Sequence, residues 1–410
     1  MLRKYLSKLP QGRHFWFLMS NLAVTGLAST MLSPFLPLFL YHQLRISVGA
    51  VSLLYFVSGL VGTITVVLVG WLIDRIGRRK VYVFGDSSSA VIPAALSLTT
   101  TFNQALPVIS LSGVMDAASR TSQTTIIADQ VEEGKRTTAY GISRIVANCS
   151  WIVAPILGGA ILAASNNFQG LFLTSSLLGI AALALFIGLV PESRKTGLEK
   201  PKLPRIGVLK DRELLVLCVA SLFAMLFYTQ FYSLLPIFAV QVKGLDSLQV
   251  GALFSISGVT VVVFQFPTSR WLEKVPDQTG YILGVVVMAV GITSLALAPT
   301  FYWLLLAVVV MTLGENMFFP IASTMVTEIS PESERGMYVG VLNLFLSLGA
   351  NISPLLGGTI WQLTGNASLP WLLSPLYAAV SIVLAAIFKI GGRERVRPGA
   401  GQRRGNKQVP

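Results

Sequence analysis

Two carboxylates stand where carboxylates are costly. Asp116 ends a charge-free run over 87–115, and Glu315 ends another over 278–314. An ionised side chain at the centre of a bilayer costs at least roughly 3 kcal/mol on insertion scales. The two acids are 199 residues apart, a spacing that recurs throughout the chain. A carboxyl group in apolar surroundings changes its protonation as its solvation and its neighbouring charges change. Such a group can carry a proton, or hold a cation in exchange for one. Arg120, four residues after Asp116, shares its helix face. It can satisfy Asp116 internally and hold a helix bundle together, or reach toward Glu315.

The elements that must position these groups are legible from the distribution of charge. Of 410 residues, 53% are hydrophobic and 12% charged, with a mean hydropathy of +0.69. A soluble protein carries about 25% charged residues. Asp, Glu, Lys and Arg are absent from 14–44, 46–73, 87–115, 145–191, 214–242, 247–269, 278–314 and 336–388. A bilayer crossing needs about 20 apolar residues, so the two longest runs each hold two crossings. Only helices satisfy their own backbone in such segments. The pattern predicts an all-α membrane protein with twelve transmembrane helices, over roughly 15–40, 47–73, 80–101, 105–130, 140–164, 168–190, 214–241, 247–270, 279–297, 301–327, 338–363 and 370–389. The first apolar stretch is too long for a cleavable signal peptide.

Lys and Arg concentrate on one side. Arg3 to Arg13, Arg75 to Lys80, Lys135, Arg136, Arg194 to Arg212, Arg270, Lys274, Arg335 and Lys389 to Lys407 face Arg45 and Lys243 alone on the other. The positive-inside rule places both termini in the cytoplasm of a cell whose plasma (inner) membrane holds the chain. The net charge of +13 follows from this bias. The basic tail reads as solvated or facing lipid headgroups rather than as a nucleic-acid binder. Cys149 and Cys218 fall in separate helices, and His14 and His42 lie far apart with no ligand spacing around them. Neither a disulfide framework, a metal site nor a cofactor is expected.

The 199-residue offset relates two halves. Asp129 aligns with Glu328, Arg136 with Arg335, Gly141 with Gly340, Pro155 with Pro354, and Gly158 and Gly159 with Gly357 and Gly358. Pro37 aligns with Pro236, Gly59 with Gly258, Asp74 with Glu273, and Gly85 with Gly284. The chain divides into a six-helix bundle over 1–190, a cytoplasmic linker over 191–213, a second six-helix bundle over 214–390 and a basic tail over 391–410. Six spans per half give both halves one orientation, with a pseudo-two-fold axis along the membrane normal and a site between them near the midplane.

Two motifs resemble those of the major facilitator superfamily. The loop after the second span reads Gly70-Trp-Leu-Ile-Asp74-Arg75-Ile-Gly77-Arg78-Arg79-Lys80, close to that family's Gly-x-x-x-Asp-Arg-x-Gly-Arg-Arg/Lys. The resemblance implies a gating loop whose basic residue, here Arg78, pairs with an acid ending the fourth span, here Asp129. Asp74 is placed to meet a helix N-terminus or a basic group across the half interface. The fifth span reads Ser150-Trp-Ile-Val-Ala154-Pro155-Ile-Leu-Gly158-Gly159. It is similar to the antiporter motif Gly-x-x-x-Gly-Pro-x-x-Gly-Gly, with Ser and Ala in place of two glycines. The fourth-span arginine of proton antiporters is absent, its position being Ile109. The resemblance implies that spans one, four, seven and ten line a central cavity faced by Asp116 and Glu315.

Asn21, Ser29, Ser119, Gln123, Tyr228, Gln230, Tyr232 and Asn316 are further cavity-lining positions by the same implication. Asp86 is expected to pair with Arg144 or with the signature loop. The combined expectation is a secondary transporter, not an enzyme, that exchanges protons for a lipophilic or cationic small molecule. The rival is proton-coupled uptake of a small polar solute such as a sugar or an organic anion, which Arg120 favours. Nothing in the sequence demands more than a monomer surrounded by lipid.

Overall fold

The computed structural model describes residues 10, 12–192 and 206–387. The middle of the expected linker and the whole basic tail lie outside these residues. Among the described residues the chain is helical and contains no strand. Among the described residues twelve helical segments follow one another: α1 (Arg13–Gln43), α2 (Val48–Ile76), α3 (Arg78–Asp86 and Ser88–Ser97), α4 (Phe102–Gln130), α5 (Arg136–Ser165), α6 (Phe168–Leu189), α7 (Arg212–Gln241), α8 (Ser247–Leu272), α9 (Asp277–Leu297), α10 (Phe301–Ile329), α11 (Arg335–Thr364) and α12 (Leu369–Ile387). Ten are long and apolar enough to cross a membrane. The other two are α3, broken at Ser87, and α4, which carries Asp116, Arg120 and Asp129.

The first helix bends within the span expected over 15–40. It turns at Ser33–Phe35 and resumes through Pro37 into a π-turn over Phe39–Gln43. Proline has no N–H to offer the preceding turn, so the helix there cannot stay regular. Side chains close several helix starts. Ser47 accepts from Ala50 N at 3.3 Å, Asn167 from Gly170 N at 3.1 Å, and Asp246 from Gln249 N at 2.7 Å within a capping box.

The internal repeat extends to backbone conformation. Arg45 and Gly244, 199 residues apart, both have positive φ, at 53° and 68°. Asn166 and Gly365, at the same separation, both end a helix in the left-handed region, at 51° and 67°. Two loops of opposite halves therefore fold alike, and the first copy tolerates at Arg45 a conformation that glycine adopts freely.

The halves meet through α2 with α11 and α5 with α8, and small residues make the contacts. A Cβ added to Gly251 would collide with the Pro155 carbonyl, one at Gly159 with the Ser247 carbonyl, and one at Gly358 with Ser52. Lipid is as apolar as a leucine side chain, so close backbone approach, not hydrophobicity, holds such helices together. These contacts lie toward the end opposite the basic loops. There Gly49 N and Ser47 Oγ both donate to Gln362 Oε1, at 2.8 and 3.0 Å. The Gln241 amide meets His42 Nε2 at 3.1 Å. Toward the basic end the situation reverses. Gly70 on α2, Gly141 on α5 and Gly340 on α11 have open space where a side chain would point. The halves are thus in backbone contact toward the far end, while these three glycines meet no neighbour toward the basic end.

Candidate functional site

Glu315 sits mid-way along α10, beside the seam of the two halves. Gly314, its neighbour, packs against the α9 backbone at Met288. Thr312 donates to Ser257 Oγ on α8 at 3.0 Å. These two contacts fix the rotation of α10 and turn Glu315 toward α7 and α5. It lines a cavity of about 110 Å³ with Asn148 and Trp151 of α5, Tyr232 of α7, and Phe254 and Ser257 of α8. Glu315 Oε2 is buried and has no hydrogen-bond partner. Tyr228 lies beside the carboxylate and shares a 3.0 Å hydrogen bond with the Tyr232 hydroxyl.

Aromatic rings wall this cavity. The Trp151 ring lies 5.8 Å from Tyr232 and 6.5 Å from Phe254, stacked on the latter. Phe231 is edge-on to Tyr232 at 5.0 Å. Trp151 comes from the first half and the others from the second, so the wall exists only while the halves meet here. Negative ring faces around a carboxylate with one unpartnered oxygen suit a cation.

Asp116 is the symmetry mate of Glu315 but is less enclosed. It forms an exposed stripe on α4 with Arg120 and Thr124, on the face that Glu315 occupies in α10. The expected ion pair with Arg120 is absent. Asp116 Oδ1 instead accepts from Ser88 Oγ on α3 at 3.3 Å, and Arg120 influences it from a distance. Arg144 on α5 is also exposed and near enough to Glu315 to act on it electrostatically, yet makes no ion pair among the described residues. Among the described residues neither Arg120 nor Arg144 has an ion-pair partner.

The weaker positions separate. Ser29 is exposed on α1, and Tyr228 and Tyr232 adjoin Glu315. Gln123 is half-buried on α4, and Ser119 packs against Gly85 of α3. Gln230 is fully buried against Gly357 of α11, and Asn316 reaches toward the Thr260 carbonyl of α8 at 3.4 Å. Asn21 is fully buried inside the first half, where it donates to Asp86 Oδ2 at 3.0 Å and to the Ala182 carbonyl at 2.9 Å. Gln230, Asn316 and Asn21 sit in helix seams rather than in the opening. Asp86 consequently pairs with neither Arg144 nor the loop. Its second oxygen accepts from Thr25 at 2.9 Å.

The loop after α2 passes through Gly77 directly into α3. Arg78 Nε lies 2.8 Å from Asp129 Oδ2, both nearly buried. Gly77 has φ of 99°, which an L side chain rarely adopts, and it lets α2 turn directly into α3. Arg79 N donates to Glu192 Oε1 at 3.3 Å, and the Arg79 guanidinium to the Ile187 carbonyl. Arg75 lies over the Trp71 ring at 5.0 Å. Asp74 is exposed and has no partner among the described residues. In α5, Ala154 is buried, the Pro155 carbonyl abuts Gly251, Gly158 faces the Met31 carbonyl of α1, and Gly159 abuts α8. This motif places small residues at both of α5's seams. Among the described residues no group of three or more His, Cys, Asp or Glu could hold a metal ion, and both cysteines are free.

Sequence reasoning missed Asn148, Trp151 and Phe254. Asn148 carried a usable signal, as an amide inside the charge-free run 145–191. The two aromatic residues carried none, because they equally suit a lipid-facing surface.

The fold and this inter-half cavity define a polytopic membrane transporter. The chain matches the Major Facilitator Superfamily over residues 18–263 and again over 244–409, and it belongs to that family. It is similar to the multidrug resistance protein MdtH of Aeromonas hydrophila, with 23% identity over 385 residues, covering 91% of this chain and 94% of that protein. It is also similar to a Na(+), Li(+), K(+)/H(+) antiporter of Planococcus maritimus, with 20% identity over 365 residues, 79% of this chain and 84% of that protein. The quinolone resistance protein NorA of Staphylococcus aureus is 20% identical over 379 residues, 92% of this chain and 95% of that protein. Among solved structures, the nucleoside transporter NupG superposes with a TM-score of 0.77 at 14% identity, covering 92% of this chain and 98% of its own. A bacterial homologue of the lysosomal transporter Spinster, in an inward-facing state, superposes with a TM-score of 0.69 at 15% identity, covering 92% and 94%.

Proposed function

We propose that this protein exports lipophilic or cationic small molecules in exchange for protons, by alternating access across the plasma membrane. The observation that carries the reading is Glu315, whose buried Oε2 lacks a partner inside an aromatic cavity between the halves. An uncompensated charge there is costly, and either a proton or a cation relieves the cost. Both cannot occupy one oxygen, and mutually exclusive occupancy is what antiport requires. Asp116 and Arg120 serve as the first half's coupling groups. The basic end is the cytoplasmic end, by the positive-inside rule, so the state described here faces the cytoplasm. Arg78, Asp129 and Asp74 form the cytoplasmic gate, with Asp74 meeting the opposite half when that end closes. Relatives named for multidrug resistance and for cation/proton antiport are in keeping with this reading. The unit is a monomer in lipid and binds no nucleic acid.

A second reading, proton-coupled uptake of a small organic anion or other polar solute, draws on Arg120 and Arg144, both exposed and without an ion-pair partner among the described residues. One experiment separates the two. Tetraphenylphosphonium is added to the purified protein in weakly buffered detergent solution, and released protons are measured. Proton release that disappears in Glu315→Gln supports exchange at this carboxylate. Absence of release with this cation, alongside a proton change on adding an organic anion such as benzoate, supports the second reading.

A further inference from the structure

Asp86 is a second kind of intramembrane acid, remote from the inter-half cavity. It lies on α3, fully buried where α1, α3 and α6 meet. From α1 it meets Asn21 Nδ2 at 3.0 Å and Thr25 Oγ1 at 2.9 Å. From its own helix it faces Tyr82, whose hydroxyl donates to Asn21 Oδ1. From α6 comes only the Ala182 carbonyl, which accepts from Asn21. Tyr82 is the one other titratable side chain in this network, and no cation contacts the carboxylate among the described residues. Every hydrogen bond to Asp86 comes from a neutral donor. The arrangement solvates a carboxylate without neutralising it.

The second half shows what this junction looks like without the acid. The mates of Tyr82, Asn21, Thr25, Asp86 and Ala182 are Tyr281, Ala220, Ala224, Val285 and Ser381. Tyr281 is kept and equally buried, with its hydroxyl 3.3 Å from both Ser221 and Ser381. The same three-helix junction therefore packs with hydroxyl groups alone. An acid is not needed to build it, so Asp86 has another use. Thr25 supplies the route. It is half-buried, and Ser29, one turn along the same face of α1, is exposed.

We propose that Asp86 is a proton-binding site of the first half, additional to Asp116 and Glu315, and that Thr25 connects it to the central opening. On protonation the Asp86 hydroxyl donates to Thr25 Oγ1, and the Thr25 hydroxyl turns to the backbone carbonyl one turn before it. One proton enters from water, and no other bond is made or broken. The site is independent of which compound is transported.

The test is infrared absorption of protonated carboxyl groups in the purified, full-length protein, titrated in pH. The background is Asp116→Asn with Glu315→Gln, which removes the two cavity acids. The proposal expects a carboxyl band that grows on acidification, is lost in Asp86→Asn, and shifts in frequency in Thr25→Val. Superimposable titrations with and without Asp86→Asn overturn it, and so does a band indifferent to Thr25→Val. Should Asp86→Asn not fold, the second half's residues are grafted instead, as Asn21→Ala, Leu22→Ser, Thr25→Ala, Asp86→Val and Ala182→Ser. A graft that folds and keeps the band overturns the proposal, and one that folds and loses it supports the assignment. Failure of cation-driven proton release at Glu315 leaves this readout unaffected.

Discussion

Arg78 Nε lies 2.8 Å from Asp129 Oδ2, at the point where the loop after α2 meets the end of α4. Both side chains are nearly buried, at 3% and 10% exposure. Removing one partner of such a pair strands the other. Arg78→Ala is expected to lower the stability of the protein by about 3–5 kcal/mol. Replacing both with leucine is expected to cost much less. Thermal unfolding of the single and double variants in detergent checks this, and equal losses in the two would contradict it.

Trp151 reaches from the first half onto the cavity that holds Glu315. If its ring helps to bind a cation, Trp151→Ala removes about 0.5–2 kcal/mol of affinity, or roughly 2- to 30-fold. Trp151→Phe is expected to lose less. Equilibrium binding of tetraphenylphosphonium measures it. Unchanged affinity in the alanine variant would remove Trp151 from the site.

The far-end seam rests on backbone approach at Gly251, where a Cβ would strike the Pro155 carbonyl. Gly251→Leu is expected to part α5 and α8 at that end and to shift the population toward closure of the basic end. Spin-label distances across the two ends report this as a longer far-end distance and a shorter basic-end one. Gly70 predicts the converse. Its surroundings are empty here, so Gly70→Leu is expected to change thermal stability by less than about 0.5 kcal/mol. It should still slow transport, because the added side chain obstructs closure.

Much of this architecture was legible in the sequence, because the bilayer imposes a coarse code. Charge-free runs marked the helices, and a constant offset paired Asp116 with Glu315 and Arg78's acid with Glu328. What periodicity could not supply was the direction each helix face takes. Asn21, Gln230 and Asn316 lie on presumed lining helices, yet each turns into a seam with a neighbour. Their rotation is set by glycine contacts and proline bends, which depend on the partner helix and not on the helix itself. Asp116 and Arg120 share a face as spacing requires, but Ser88 of α3 takes the carboxylate's hydrogen bond. Trp151 was invisible for another reason: an aromatic residue in an apolar span has the same composition whether it meets lipid or ligand.

The central claim is that Glu315 and Asp116 exchange protons for a cationic substrate. Dye transport in inverted membrane vesicles with an imposed pH gradient, acid inside, tests it most directly. Native protein is compared with the Asp116→Asn, Glu315→Gln double variant at equal insertion, using a cationic fluorescent dye. The account predicts gradient-driven accumulation of dye by the native protein and its loss in the double variant. Undiminished gradient-driven accumulation in the double variant, or none with well-inserted native protein, would contradict it.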